Sequence, residues 1–205
     1  MTNNLIILDI DQTLIDSLSI NEYITLKKKG ILKREPNIID TGIDVAIWEK
    51  SSLKFFLNFL DKNFKYLGIW TNGTNFWLKY ILKNVIMKYL PKERFSVLFS
   101  IDKSYKKIKT ENGYKYITYV KDLRKVWVNK KFNFRNTLLI DDNFDNCYFN
   151  LYNSLPIKKY SAVTNQNNNF STTIKILQNL KLSSDFNDTL KKVYLNLDDY
   201  NKLFS

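Results

Sequence analysis

Carboxylate and hydroxyl side chains come directly after three short apolar runs of this sequence. Residues 5–8 are followed by Asp9, Asp11 and Thr13, and residues 67–70 are followed by Thr71 and Asn72. Residues 138–140 are followed by Asp141 and Asp142. Carboxylates serve as nucleophiles and general acids, and their oxygens are the ligands that a hard cation such as Mg²⁺ prefers. These residue types therefore favour carboxylate chemistry assisted by a metal ion.

The residues that are missing narrow the chemistry further. The chain has no histidine and a single cysteine, Cys147. Catalysis by Ser-His-Asp or Cys-His groups, phosphohistidine chemistry and histidine-ligated metals are therefore excluded, as is a disulfide framework. A cysteine-dependent phosphatase would need an arginine shortly after its nucleophile, and the sequence YFNLYN follows Cys147. Cys147 is therefore predicted to be a small buried side chain.

The apolar runs also predict the fold. With a fourth run at residues 97–99, they are too short for helices and do not alternate with polar residues, which is typical of strands buried on both faces of a parallel sheet. Amphipathic helical stripes lie between them, at Leu53, Phe56, Leu57 and Leu60 and at Phe76, Trp77, Tyr80, Ile81 and Val85. We predict an α/β fold with a Rossmann-like parallel sheet flanked by helices. Ligands of such sheets bind at the carboxyl ends of the strands, so the acids and hydroxyls should meet at one edge.

Two internal segments interrupt this alternation. Residues 15–47 have weak strand signals at residues 31–33 and 45–48 and little helical period, so we predict a hairpin-like excursion there. Residues 95–120 are predicted to form an insertion built on a β-hairpin, with its turn at Asn112-Gly113.

The C-terminal part of the chain predicts two further helices. Within residues 171–204 their apolar faces are Ile174, Leu177 and Leu180, and then Phe186, Leu190 and Val193. The asparagine-rich residues 164–169 precede them as a predicted connecting loop. We expect residues 1–160 to form the main domain, and residues 161–205 to supply helices that are packed on it or appended to it.

The charge of the chain favours anionic partners without identifying them. The 32 Lys and Arg residues against 20 Asp and Glu give a formal net charge of +12, which attracts polyanions. The lysines are dispersed, so nucleic acid is expected to bind only through diffuse positive charge, as a secondary partner. No apolar run is long enough to cross a membrane, and the N-terminus lacks the pattern of a signal peptide. We expect an intracellular protein, cytoplasmic or nuclear, that is neither secreted nor bound to a membrane.

Three sequence strings resemble one known family. LDIDQTL at residues 8–14 is similar to the LDLDETL of the TFIIF-interacting, carboxy-terminal-domain phosphatases, a NIF-like group of the haloacid dehalogenase superfamily. YVKDL at residues 119–123 and LLIDDN at residues 138–143 resemble that group's Y-V-K-D-L and its strand-end D-D/N element. The resemblance covers about residues 4–160. It implies a haloacid dehalogenase fold with a β-hairpin or small sheet inserted between Thr71 and Lys121, and a phosphomonoesterase that depends on Mg²⁺.

The resemblance also implies the roles of the first acids. Asp9 attacks phosphorus and forms an aspartyl-phosphate intermediate. Asp11 protonates the leaving oxygen and then activates the hydrolytic water, and Thr13 keeps this acid in position.

The same resemblance implies how phosphate and metal are held. The Thr71 hydroxyl and the Asn72 backbone N–H hold phosphate oxygens. Lys121 neutralises the nucleophile and the phosphate, with Lys115 and Lys125 as the alternative lysines. The implied Mg²⁺ ligands are Asp9, Asp11 through its backbone carbonyl, Asp142 and the adjacent Asp141.

The substrate is left more open than the reaction. The group's usual Arg-Pro-Gly before its first helix is replaced by Lys50-Ser51-Ser52, and its T-A-S by T-N-G at residues 71–73. We expect a phosphorylated protein or peptide, dephosphorylated at serine or threonine. The alternatives are a polynucleotide or nucleotide phosphatase and a non-catalytic interaction protein on the same fold. Aromatic residues near the insertion would either pack a proline ring of the substrate or form the insertion's own small core; they are Phe95, Phe99, Tyr105, Tyr114, Tyr116 and Tyr119.

Overall fold

The structure, a computed structural model, describes residues 2–111, 113–164 and 169–193. In chain order the strands are β1 (Thr2–Leu8), β2 (Ile15–Leu18), β3 (Ile38–Asp40), β4 (Val45–Glu49), β5 (Phe64–Trp70), β6 (Phe95–Phe99), β7 (Tyr105–Glu111), β8 (Tyr114–Val120), β9 (Thr137–Asp141) and β10 (Ser154–Pro156). The α-helices are α1 (Ile20–Lys28), α2 (Leu53–Asn63), α3 (Asn75–Asn84), α4 (Arg124–Trp127), α5 (Phe144–Phe149), α6 (Ser171–Leu180) and α7 (Phe186–Val193).

Five of the strands form one parallel sheet, in the order β10-β9-β1-β5-β6. Each of the four apolar runs lies in one of its strands, and the side chains of residues 5–8 are fully buried. The predicted α/β fold with a Rossmann-like sheet is therefore confirmed. Strand β10 escapes prediction because Ser154-Leu155-Pro156 is too short to show a pattern.

The side chains of β1 alternate between two clusters on opposite faces of this sheet. Ile6 and Leu8 pack in the larger cluster, to which α2, α3, α6 and α7 contribute. Leu5 and Ile7 pack in the smaller cluster, together with Val126 of α4. Both faces of the central strand are therefore shielded from water, which explains its uninterrupted apolar sequence.

The helices α2 and α3 confirm the predicted stripes in part. The predicted face of α2 is buried throughout. In α3 the buried residues are Leu78, Ile81 and Leu82, whereas Phe76 is 61% exposed. The hydroxyl of the N-cap residue Thr74 accepts the backbone N–H of Trp77 and begins the helix directly after β5. This start leaves Trp77 half-buried near the carboxyl edge of the sheet.

The excursion after β1 is a three-stranded antiparallel sheet, in the order β2-β4-β3, together with helix α1. The predicted strand at residues 45–48 is part of β4, but the strand predicted at residues 31–33 is wrong. Ile31 instead closes the end of α1, because its N–H donates to the Leu26 carbonyl while Gly30 adopts a φ of 67°. Helix α1 was not predicted, since only Tyr23 of its residues is buried and no apolar stripe results.

The insertion is the antiparallel hairpin β7–β8. Its turn contains Gly113 at a φ of 81°, as the Asn-Gly pair predicts, and Asn112 lies outside the described residues. Strand β6, at the start of the predicted insertion, belongs to the main sheet instead. The aromatic residues do not form a separate core in the described part of the hairpin, because Tyr105 and Tyr114 are 54% and 79% exposed.

The C-terminal helices pack on the main core. Leu177 and Leu180 of α6 and Phe186 and Leu190 of α7 are buried in the larger cluster. The ring of Phe170, just before α6, stacks on Phe56 of α2 with 4.0 Å between ring centroids. The side chain of Val193, residues 165–168 of the predicted loop and the tail beyond α7 lie outside the described residues, and the division at residue 160 stays a prediction. Among the residues described, no helix is both long and apolar enough to span a membrane.

Candidate active site

The predicted site residues meet at the carboxyl edge of the parallel sheet. Asp9 follows β1, Thr71 follows β5 and Asp141 ends β9. They lie beside a cavity of about 420 Å³. Its lining residues are Asp9, Asp11, Gln12, Asn72, Gly73, Trp77, Asp141, Asp142, Asn143 and Asn146. Residues from three separate strands therefore line or border one cavity.

Lys121 forms the buried ion pairs of this site. Its ammonium, with no exposed surface, contacts Asp9 Oδ1 and lies 2.7 Å from Asp141 Oδ2. Burial opposes its charge, but the negative charges of Asp141 and Asp9 outweigh burial and raise the pKa of Lys121 above its ordinary value. Lys121 therefore stays protonated and holds the two carboxylates together.

Three carboxylates form a group that fits a divalent cation. Oxygen atoms of Asp9, Asp141 and Asp142 all lie within 4.8 Å of one another. If all three are ionised, Lys121 neutralises one of the three negative charges, and two remain. Hard oxygen ligands with this residual charge suit Mg²⁺.

The electrostatics of the group show the same need for a cation. Burial raises the pKa of Asp9 well above its usual range; Lys121 lowers it, while Asp141, Asp142 and Asp11 raise it. Burial and the charge of Asp141 raise the pKa of Asp142 to about 6, against a hydrogen bond from Thr13 that lowers it. Burial is the larger cause of both pKa shifts, and the neighbouring carboxylates add to it by disfavouring one another's charge.

Asp11 is held apart from this carboxylate group. The indole Nε1 of Trp77 donates to its Oδ1 at 2.8 Å, and the Thr71 hydroxyl donates to its Oδ2 at 3.0 Å. Burial raises the pKa of Asp11, and these two hydrogen bonds lower it. The side chain thus has a fixed orientation and an increased tendency to carry a proton.

The family model of the NLI interacting factor-like phosphatases matches residues 4–188. The chain belongs to this family. The resemblance to the NIF-like phosphatases that was drawn from the sequence strings is therefore confirmed. A search of the curated proteins gives no match.

Solved structures similar to this phosphatase include two of Fcp1. The RNA polymerase II CTD phosphatase Fcp1-R271A of fission yeast, bound to beryllium fluoride, has a TM-score of 0.49 and 18% identity, over 87% of this chain and 52% of that one. A second structure, of Fcp1 as an essential RNA polymerase II CTD phosphatase, has a TM-score of 0.49 and 19% identity, over 87% and 50%. A haloacid dehalogenase-like hydrolase from Bacteroides fragilis has a TM-score of 0.44 and 15% identity, over 72% and 82%. The chain spans about half the length of the two Fcp1 chains.

Thr13 of this phosphatase contacts a different acid from the one expected. Its hydroxyl donates to Asp142 Oδ1 at 2.8 Å and accepts the Asp142 backbone N–H at 3.1 Å. The expectation that Thr13 steadies Asp11 is wrong, because the hydrogen bonds that orient Asp11 come from Thr71 and Trp77 instead. The physical reason is the turn after β1, where Gln12 has a φ of 60° and redirects the chain.

The two groups predicted to hold phosphate, the Thr71 hydroxyl and the Asn72 backbone N–H, differ in whether their protons are already used within the site. The Thr71 hydroxyl accepts the Gly73 N–H at 2.8 Å and gives its own proton to Asp11. The side chain of Asn72 is engaged by Ser104 and by the Tyr119 carbonyl. Among the described residues no acceptor takes the Asn72 backbone N–H, which fits its predicted role.

The structure places only Lys121 of the three candidate lysines in the site. Lys115 lies on the exposed hairpin strand β8, and Lys125 is exposed, with its ammonium 3.4 Å from the Ser104 carbonyl. The YVKDL string therefore identifies the lysine of the site, whereas a position between Thr71 and Asp141 alone does not.

Among the described residues, two side chains that hydrogen-bond the carboxylates of the site were not predicted as site residues, namely Trp77 and Asn146. Asn146 accepts the Lys121 backbone N–H and donates to Asp141 Oδ2, each at 3.0 Å, and so supports the buried ion pair. It lies on α5 five residues after Asp141, where the first turn of a helix brings it back to the strand end. Trp77 was assigned only to a core stripe, and no sequence motif indicated its contact with Asp11.

Proposed function

We propose that this phosphatase hydrolyses phosphoserine or phosphothreonine in a protein, with Asp9 as the nucleophile and Mg²⁺ as the cofactor. The observation that supports this best is the pairing of two differently held acids on one cavity. Asp9 belongs to the carboxylate group that contacts Lys121, whereas Asp11 is oriented by Trp77 and Thr71. A phosphate in the cavity would meet a nucleophile and a proton donor together.

The proposed reaction has two displacements. In the first, a carboxylate oxygen of Asp9 bonds to phosphorus, the bond from phosphorus to the serine or threonine oxygen breaks, and Asp11 gives its proton to that oxygen. In the second, the oxygen of a water molecule bonds to phosphorus, the bond from phosphorus to the Asp9 oxygen breaks, and Asp11 takes a proton from the water. Phosphate then leaves and Asp9 is again a free carboxylate. The raised pKa of Asp11 favours the protonated form that the first displacement needs.

Positive charge must offset the phosphate dianion as it approaches a carboxylate. Mg²⁺, held by Asp9, Asp142 and the Asp11 carbonyl with Asp141 beside them, would supply this charge. Lys121 orients Asp9 and compensates part of the negative charge. The N–H of Asn72 would hold a phosphate oxygen, and the hydroxyl of Thr71 would do so on turning its proton from Asp11 to the phosphate.

The protein substrate is supported by the family resemblance and by the surroundings of the cavity. The hairpin β7–β8 is tied to the cavity, because Asn72 Nδ2 donates to the Tyr119 carbonyl at 3.0 Å. Exposed aromatic side chains such as Tyr105 and Tyr114 lie on this hairpin, available to a peptide. Such a substrate also favours an intracellular site of action. The net charge of +12 supports a polynucleotide phosphatase as the second candidate.

The test compares three substrates with and without Mg²⁺: p-nitrophenyl phosphate, a phosphoserine peptide and a 3′-phosphorylated oligonucleotide. We expect Mg²⁺-dependent turnover of the first two, and only weak turnover of the oligonucleotide that salt suppresses. Faster turnover of the oligonucleotide than of the peptide would favour the second candidate. Absence of turnover with all three would favour a non-catalytic interaction protein. The Asp9→Asn variant serves as the control for contaminating phosphatases.

A further inference from the structure

A second cavity, separate from the active-site cavity, is lined by residues from the end of β4 and the start of α6. Its volume is about 350 Å³, and none of its lining residues lines the active-site cavity. Lys50, Lys158, Ser171, Thr172 and Thr173 contribute its polar surface, and no acidic residue lines it in the described part of the chain. The lining therefore offers hydrogen-bond donors and positive charge to whatever enters.

Lys50 is the buried cation of this cavity. It is only 3% exposed, and its Nζ lies 4.4 Å from the centroid of the Phe170 ring. Within residues 2–111, 113–164 and 169–193, its ammonium has no hydrogen-bond or ion-pair partner. Asp142 is the carboxylate whose charge acts on it, without forming an ion pair. The Tyr160 ring also lies near this ammonium, with its centroid 5.9 Å from Nζ, so cation-π attraction offsets part of the cost of burial. The ammonium still has hydrogen bonds to give, and an anion in the cavity would accept them.

The first turn of α6 supplies two further donors to the same cavity. The N–H groups of Phe170 and Ser171 are not these donors, because each already has an acceptor. The Phe170 N–H donates to Ser52 Oγ at 3.0 Å, and the Ser171 N–H donates to Asn169 Oδ1 at 3.1 Å. The next two backbone N–H groups, of Thr172 and Thr173, have no acceptor among the described residues, and the N-cap residue Phe170 has no side-chain acceptor to offer them. Free N–H groups and the helix dipole favour an anion at such an end.

We propose that this cavity binds a phosphate group, held by the Lys50 ammonium and by the backbone N–H groups of Thr172 and Thr173. Three donors from two directions match the several acceptor oxygens of a tetrahedral oxyanion. The cavity has more room than one inorganic phosphate needs, so the ligand class includes a small phosphate monoester. The site does not depend on the proposed catalytic mechanism, and the failure of either leaves the other standing.

The test measures phosphate binding by calorimetry in EDTA at constant ionic strength. Without a divalent cation, the crowded carboxylates of the active site repel phosphate, so the second cavity is expected to account for the binding. Lys50→Met should weaken the affinity for inorganic phosphate at least tenfold. Lys175→Met, which removes an exposed lysine of α6, should leave this affinity unchanged. Equal affinities in wild type and Lys50→Met would overturn the proposal.

A second measurement needs no variant. Titration of the wild-type protein with inorganic phosphate, and separately with phosphoserine, should shift the amide resonances of Thr172 and Thr173 in EDTA. A shift with phosphate alone would assign the site to the free ion, and a shift with both would assign it to phosphate monoesters as well. Phosphate-dependent shifts confined to other residues, or no shift, would overturn the proposal.

Discussion

The indole Nε1 of Trp77 donates to Asp11 Oδ1 at 2.8 Å, and this hydrogen bond joins the first turn of α3 to the proposed general acid. The position of the indole also explains why residue 73 is a glycine. A Cβ on Gly73 would lie 2.5 Å from Trp77 Cδ1, so a side chain there would displace the indole. Together with Thr71, the indole binds both oxygens of Asp11 and leaves the acid few orientations.

Trp77→Phe removes the N–H and keeps an aromatic ring in place. We expect turnover of a phosphoserine peptide to fall about tenfold or more, because an acid that is no longer oriented transfers its proton less efficiently. The loss should be smaller with p-nitrophenyl phosphate, whose leaving group needs little protonation. Asp11→Asn is the matched comparison and should show the same order with larger losses. Equal losses on both substrates would contradict the positioning role.

Asp9→Asn replaces the proposed nucleophile by a nearly isosteric amide. We expect less than about 1% of wild-type activity, since an amide is a poor nucleophile and the loss of a covalent step raises the barrier by several kcal/mol. The fold should remain, because Lys121 keeps its contact with Asp141. Steady-state kinetics and the melting temperature check both points. Activity well above this level in a folded variant would place the nucleophile elsewhere.

The strands that carry the site were predictable because their burial leaves a continuous apolar sequence. Leu5 to Leu8 each face protein on one side of the sheet or the other, so no polar residue interrupts the run. Helix α1 lacks such a signal, since it lies on the surface and buries Tyr23 alone. A capping box between Ser19 and Glu22 marks its start, and this local pattern could have indicated the helix.

The acids and Lys121 of the site were predictable from the sequence, whereas several of their contacts were not. Strand ends and the YVKDL string locate the acids and Lys121, because parallel strands end at one edge. The partner of Thr13 depends on the turn at Gln12, whose left-handed conformation is unusual for a residue other than glycine. Trp77 reaches Asp11 only through tertiary packing, and neither contact leaves a trace in residue spacing.

Lys50→Met tests the cost of the buried ammonium in phosphate-free buffer. Burial lowers the pKa of Lys50 from 10.5 to about 8. Below pH 8 both native and unfolded chains hold the proton, and the native state bears the full penalty, so the variant should be more stable at pH 7 by roughly 1–3 kcal/mol. Chemical denaturation of the two proteins measures the difference.

The pH dependence of this difference has a definite sign. Between the two pKa values the unfolded chain keeps the proton on Lys50 and the native protein loses it. The stability of the wild type should therefore rise with pH in this window relative to Lys50→Met, and the advantage of the variant should shrink. Lys175→Met is the control and should show no such change. An advantage that is constant from pH 7 to pH 10 would contradict the lowered pKa.

Mg²⁺ should stabilise the folded protein as well as activate it. Oxygen atoms of Asp9, Asp141 and Asp142 lie within 4.8 Å of one another, and burial together with their mutual repulsion raises the pKa of Asp9 and Asp142. A divalent cation relieves this repulsion in the native state alone, so it should raise the melting temperature of EDTA-treated protein and restore its activity. Ca²⁺ should raise the melting temperature too but support little turnover, because it accepts longer bonds and higher coordination numbers.

Asp142→Ala should lose both the Mg²⁺-dependent thermal shift and the activity. Asp145→Ala, which removes an acidic residue outside the group, should keep the thermal shift. Full activity in EDTA, or an unchanged Mg²⁺ response in Asp142→Ala, would contradict the assignment of these carboxylates to the metal.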